Sequence, residues 1–155
     1  MRPLGALPVR VRLGMVRREG GHDRPRQGRG VRGGGADVAR TRKEEQMLLY
    51  IAGPVTGIED DNLPAFEEAA RKLRAAGHRA EIPHEFVTAG TWRGAMCQCI
   101  GRIAYRWATE PEDAFGLAVL EGWEESRGAK MEKAVAEAMG IPVKTVGEWT
   151  EGGKL

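Results

Sequence analysis

The sequence predicts an α/β domain, a three-layer sandwich built on a parallel sheet of about four strands in the order 2-1-3-4. Three observations predict it. Short apolar runs alternate with helical segments over residues 47–146. The runs at 47–52 and 114–120 are apolar throughout, as strands covered on both faces are. Two segments carry a clear 3.6-residue stripe with start and stop signals. Strand–helix–strand units of this kind close with right-handed crossovers and place helices on both faces of the sheet.

The elements follow in order. Met47–Ala52 (MLLYIA) is a buried strand closed by Gly53 and Pro54. Leu63–Ala76 is an amphipathic helix with Leu63, Phe66, Ala69, Ala70 and Leu73 on one stripe. Asp61 or Asn62 is expected to cap it, Pro64 sits in its first turn and Gly77 ends it. His78–Ile82 is a second strand, stopped by Pro83, and Thr91–Trp107 is a middle helix. Asp113 is expected in a turn before the third strand, Ala114–Leu120 (AFGLAVL). Ser126–Met139 is the second clear helix and Ile141–Val146 the last strand.

The 155 residues are 41% hydrophobic and 30% charged, with a net charge of +2, and fit one domain. The charge is unevenly divided. Residues 1–40 hold 10 Arg against 3 acids, with 9 Gly and 3 Pro, whereas residues 41–155 hold 14 Lys and Arg against 19 Asp and Glu. Residues 1–46 read as a basic Gly/Arg-rich leader, expected to be disordered, and 47–155 as the domain. Within Gly20–Gly35 the only aliphatic residue is Val31, too little to offset the entropy of ordering. Arg/Gly arms bind nucleic-acid phosphates, but this one lacks interleaved aromatics to stack on bases, so nucleic acid is not the expected partner. Met47 is the expected natural initiator.

The charge-free apolar stretch Met47–Ile58 falls well short of the roughly 20 apolar residues of a membrane helix, so no membrane partner is expected. No continuous apolar core of signal-peptide type follows Arg2, and a reduced cytoplasm is the expected compartment. Cys97 and Cys99 are the only cysteines; two apart on a helix, they are not expected to bond to each other. With His78 and His84 they form no recognisable ligand set, so neither a metal nor a cofactor is implied.

In a doubly wound sheet, ligands bind at the carboxyl edge where the strand order reverses. The order 2-1-3-4 puts that point between strands one and three. Two loops meet there: Gly53-Pro54-Val55-Thr56-Gly57, and Glu121 to Gly128 (EGWEESRG). Gly53 and Gly57 bracket a loop a ligand can approach closely, or mark a tight strand exit. Ser126 can cap the following helix, with Arg127 and Gly128 leaving backbone N–H groups for an anion, or with no ligand at all. Trp123 either stacks on a flat base or caps the sheet end. His84, after the second strand, either bonds a sugar or phosphate or is structural. Glu132 is the oddity. Three residues after Ala129 and four before Ala136, it falls on the helix's apolar side, where a carboxylate needs a partner or a cleft. The bland alternative bends it out to solvent beside Arg127 or Lys133.

The stretches YIAGPVTG (Tyr50–Gly57), LPAFEEAARKLRAAGH (Leu63–His78) and LEGWEESRGAKMEKAVAEAMGIPV (Leu120–Val143) together resemble a phage- and bacterium-associated family. That family is allied to the nucleoside 2-deoxyribosyltransferases and the deoxynucleoside monophosphate N-glycosidases. The resemblance spans about 47–146. It implies a flavodoxin-like (Rossmann-like) fold and cleavage of a base–deoxyribose bond. Glu132, with Ala136 and the Gly140-Ile141-Pro142-Val143 that follows, matches the spacing of the transferases' catalytic glutamate. The implied role is attack on C1′ through an oxocarbenium-like state. Gly53, Pro54, Thr56, Gly57, His84, Gly122, Trp123, Ser126, Arg127 and Gly128 are then the substrate-binding residues. Relatives carry an Asp in the middle helix after a tryptophan and a methionine. Aligning Trp92 and Met96 puts Cys99 there, a weaker donor without a carboxylate's capacity. Glu110 and Glu112 are the nearest replacement acids in sequence.

The expected partner is a small deoxynucleoside or its monophosphate, handled by an N-glycosidase or deoxyribosyltransferase. Homo-oligomers are common among the relatives, and exposed apolar residues of the middle helix are consistent with one. The alternative reading is a nucleotide-binding module that uses the same cleft without turnover, which Cys99 favours.

Overall fold

The computed structural model describes residues 46–152, so the reading of the leader lies, Gln46 aside, outside the described residues. Four strands, β1 (Leu48–Ala52), β2 (Arg79–Glu81), β3 (Phe115–Val119) and β4 (Val143–Thr145), form one sheet. Every pairing is parallel and the order is β2-β1-β3-β4, the predicted flavodoxin-like arrangement. Leu48 lies beside both Arg79 and Phe115, and Ala52 beside Val119, so the two central strands end level at the carboxyl edge.

All five residues of β1 and all five of β3 are buried, which is why both read as continuous apolar runs rather than alternating ones. Their side chains still alternate between faces. Leu48, Tyr50, Phe115 and Leu117 pack with Cys99 and Ile103 of α2 (Trp92–Thr109) and with Ala129 and Ala136 of α3 (Arg127–Ala138), after α1 (Leu63–Ala75) in the chain. Leu49, Ile51 and Ala118 face the other way, onto Phe66, Ala69, Ala70 and Leu73 of α1. The predicted α1 stripe is the buried one, save Leu63, which is only half-buried.

Trp149 completes that second layer. It belongs to α4 (Val146–Glu151), a short helix that six residues of pattern did not reveal. Its readable signal was the Thr145/Glu148 capping box: the Thr145 N–H donates to Glu148 Oε2 (2.7 Å) and the Glu148 N–H to Thr145 Oγ1 (3.2 Å). The indole of Trp149 covers bare strand at Gly116, where a Cβ would come within 2.8 Å of the ring, and its Nε1–H donates to Leu117 O (2.9 Å).

The start of α1 departs from expectation. Neither Asp61 nor Asn62 caps it through its side chain. Capping needs an extended N-cap, but Asp60, Asp61 and Asn62 all lie in the left-handed region (φ 51°, 52° and 61°). Asn62 Nδ2–H instead donates to the carbonyl of Pro54 (2.8 Å), tying this turn to the β1 exit loop. Asp113, at φ 61°, lies in the expected turn at the opposite edge of the sheet. Strands two and four are shorter than predicted, ending before Ile82 and starting after Pro142. Among the described residues no helix is long and apolar enough to cross a membrane.

Candidate active site

A cavity of about 860 Å³ opens at the carboxyl edge, beside the β1 exit and on the α2/α3 side of the sheet. Its walls come from four places. The β1 loop contributes Gly53, Pro54 and Thr56, the turn after β2 contributes His84, α2 contributes Met96 and Cys99, and the start of α3 contributes Ser126, Arg127, Gly128 and Glu132. Eight of the predicted site residues therefore share one cavity.

Glu132 is the centre of the arrangement. The bland alternative for it does not hold: it is only 4% exposed, and Lys133 pairs with Glu137 instead. Tyr50 reaches from the middle of β1 and donates its hydroxyl to Glu132 Oε1 at 2.6 Å. Burial pushes the Glu132 carboxyl up to about 7, against which the Tyr50 hydrogen bond pulls it down. The Tyr50 hydroxyl is itself driven well above its ordinary value, by burial and by the neighbouring carboxylate. The Cys99 thiol completes the group. Burial, then Glu132, lift it to about 12, so it is a neutral S–H at physiological pH. Tyr50 was missed as a site residue because a tyrosine in an apolar strand reads as core. Its signal was that a buried tyrosine hydroxyl needs a partner.

The start of α3 is built as its sequence requires. Ser126 is extended and its Oγ accepts from Ala129 N (3.2 Å), a side-chain cap. Gly128 leaves room for Met96 of α2: a Cβ there would come within 3.2 Å of the methionine sulfur. Arg127 does not pair with Glu132; its guanidinium stacks over the Trp92 ring, 4.2 Å from the centroid, joining the first turns of α2 and α3.

The glycine of the β1 exit answers its own alternatives. A Cβ on Gly53 would lie 2.7 Å from the Leu120 side chain, so the tight exit is a packing requirement and the ligand-facing wall a consequence of it. His84 Nε2 stands 2.9 Å from the Asp61 carbonyl, which can only accept, so Nε2 carries the proton. Its Nδ1 is buried without a partner, and the ring packs edge-on against Phe66 (4.8 Å).

Three predicted residues lie elsewhere. Gly57 (φ 81°) is exposed and does not line the cavity. Gly122 (φ 84°) turns the chain so that it and Trp123 line a second cavity of about 760 Å³, bounded by α1 and α4. Trp123 packs on the edge of the core, with Lys133 Nζ 5.0 Å from its ring centre, a position that accords with sheet capping. The replacement acids are also corrected. Glu110 pairs with Arg79 and Arg106 at the far edge of the sheet, Glu112 is exposed, and neither lines the cavity. The carboxylates that do, besides Glu132, are Asp61 and Glu125, which spacing alone did not single out. Both cysteines are free, Cys97 exposed and Cys99 buried.

Fold and site together define a flavodoxin-like α/β domain with a buried carboxylate at the switch-point cavity. Residues 47–145 match the family described as Domain of unknown function (DUF4406), and the chain belongs to that family. No curated protein and no solved structure matches it.

Proposed function

We propose that this domain cleaves the N-glycosidic bond of a deoxynucleoside or its 5′-monophosphate, with Glu132 as nucleophile. The observation that carries the reading is the position of Glu132: a carboxylate with no cation partner among the described residues, hydrogen-bonded by Tyr50, in the wall of a cavity of nucleotide size. A carboxylate without a cation partner keeps its electron density available for carbon, and a low-dielectric wall strengthens its interaction with a cationic transition state.

In the reaction, a Glu132 oxygen bonds to C1′ as the C1′–N bond breaks, its electron pair leaving with the base. The base nitrogen then takes a proton. Water adds to C1′, losing a proton, and the carboxylate departs with its electrons. A second base in place of water gives transfer. Thr56 and the Ser126–Gly128 helix start line the same cavity and would hold the sugar and any 5′-phosphate.

Incubation with a panel of deoxynucleosides and their monophosphates, with and without acceptor bases, tests the reading. Free base is expected from the wild type and at least about 10³-fold less from Glu132→Ala. Equal release from both proteins rejects it. One feature favours a second reading, a nucleotide-binding module. Cys99 is neutral where the resembled enzymes carry a carboxylate that handles the leaving base. Calorimetric binding of a monophosphate without product distinguishes that case.

A further inference from the structure

The turn between the β1 exit and α1 holds a conformation that side chains disfavour. Asp60, Asp61 and Asn62 lie consecutively in the left-handed region, with φ 51°, 52° and 61° and ψ 31°, 29° and 20°. Residues other than glycine visit that region singly, Asn and Asp most readily, because Cβ crowds the following carbonyl oxygen. A full left-handed turn without glycine persists only where its surroundings over-determine it. Two side chains do so here. Asn62 Nδ2–H donates to the Pro54 carbonyl (2.8 Å), and His84 Nε2–H donates to the Asp61 carbonyl (2.9 Å). The strained turn is also a wall of the cavity: Pro54, Ile58 and Asp61 line it, and so does the His84 ring, but Asn62 does not. His84 has no nitrogen free for a ligand. Nε2 is committed to Asp61, Nδ1 is buried with no open surface, and Phe66 of α1 holds the ring edge-on at 4.8 Å.

We infer that His84 and Asn62 are positioning residues, which hold the left-handed turn so that this wall has its binding shape before a ligand arrives. They act on affinity through the wall, not through a hydrogen bond to the ligand. The inference rests on the cavity of the glycosidic reading, but not on bond cleavage itself. A wall ordered in advance removes the entropy of ordering it from the binding step. Loosening the wall therefore weakens binding while the chemistry at Glu132 proceeds, which raises KM and leaves kcat in place.

The test measures kcat and KM for the four common deoxynucleoside monophosphates. His84→Ala and Asn62→Ala each delete one tie and should raise KM about 10-fold, the worth of one hydrogen bond, with kcat within about threefold. His84→Gln keeps an N–H donor and should stay within about threefold of the wild-type KM. Asp60 does not line the cavity, and glycine adopts its left-handed backbone freely. Asp60→Gly added to His84→Ala should therefore recover at least about threefold of the lost affinity. Hydrogen exchange supplies a second readout: amides of residues 58–62 should exchange about 10-fold faster in His84→Ala, with those of β1 and β3 unchanged. Unchanged KM in the folded alanine variants overturns the inference, as does a loss confined to kcat or a double variant that recovers nothing. If one alanine variant does not fold, the other decides, with its own Asp60→Gly double. If neither folds, the ties serve folding alone and the inference fails. A wild type that binds the monophosphates without releasing base fails the glycosidic reading only, and calorimetric Kd then replaces KM. A wild type that binds none of the four ends both.

Discussion

The Glu132 carboxyl is 4% exposed, forms no salt bridge among the described residues, and titrates at about 7. In the unfolded chain it titrates at its ordinary 4.5. Between those values the folded protein binds more protons than the unfolded one, so stability falls as pH rises through that window and levels off above 7. The loss is about 3 kcal/mol. Glu132→Gln removes it. This variant should be inactive yet melt higher than the wild type at pH 8, with no such gain at pH 4, by calorimetry at both values. Tyr50→Phe acts on the same group in the other direction. It deletes the hydrogen bond that favours the ionised form, so the acid limb of the rate profile should move about one unit alkaline. At pH 6.5 the variant should be about 10-fold slower, recovering above pH 8.5. A profile that drops uniformly at every pH would assign Tyr50 to packing alone. Glu132 was legible in the sequence because a carboxylate on an apolar stripe contradicts its pattern. Tyr50 was not, because its partner lies 82 residues away.

Elements hold the site through two contacts that neighbouring residues do not reveal. One is the ion network between β2 and α2. Glu81, 5% exposed, accepts from Arg102 (Nε, 2.7 Å) and from Arg106 (Nε, 3.2 Å; Nη2, 3.1 Å), while Arg102 also lies over the Phe86 ring (4.9 Å). Burial alone would raise the Glu81 carboxyl, but the two guanidinium groups outweigh it and hold it below its ordinary value. Its contribution is therefore present above pH 4.5 and lost as pH falls through the depressed value. Glu81→Gln should cost about 2 kcal/mol at pH 7 in urea titration, and much less at pH 3. The other contact is α4 against the sheet. Trp149→Ala removes a buried indole and its bond to Leu117, and should cost about 4 kcal/mol. Gly116→Ala, which forces the ring outward, should destabilise in the same direction. Long periodic helices were legible at this scale. The six-residue α4 was not, because one and a half turns are too few for a period to emerge.

Across the whole molecule the two buried glutamates set opposite limits. Glu81 favours the folded state when ionised and Glu132 when protonated. Stability is expected to peak near pH 5, where Glu81 is charged and Glu132 still carries its proton. The double variant Glu81→Gln/Glu132→Gln should flatten that profile in thermal melts from pH 3 to 8; a peak that survives would place its origin in other groups.

Alternation of apolar runs and helices determined the parallel sheet, because a strand covered on both faces has no choice of composition, and right-handed crossovers leave few orders for four strands. The cavity at the carboxyl edge followed from the same rule. Which side chains meet there was decided only in three dimensions. One predicted loop divides, Gly122 and Trp123 going to a second cavity while Ser126–Gly128 stay in the first, three left-handed residues replace an expected cap, and Tyr50 and Cys99 converge on Glu132 from separate elements. Periodicity records which face a residue occupies. It carries no record of which distant residue occupies the facing position, and the chemistry of this cavity lies in those pairings.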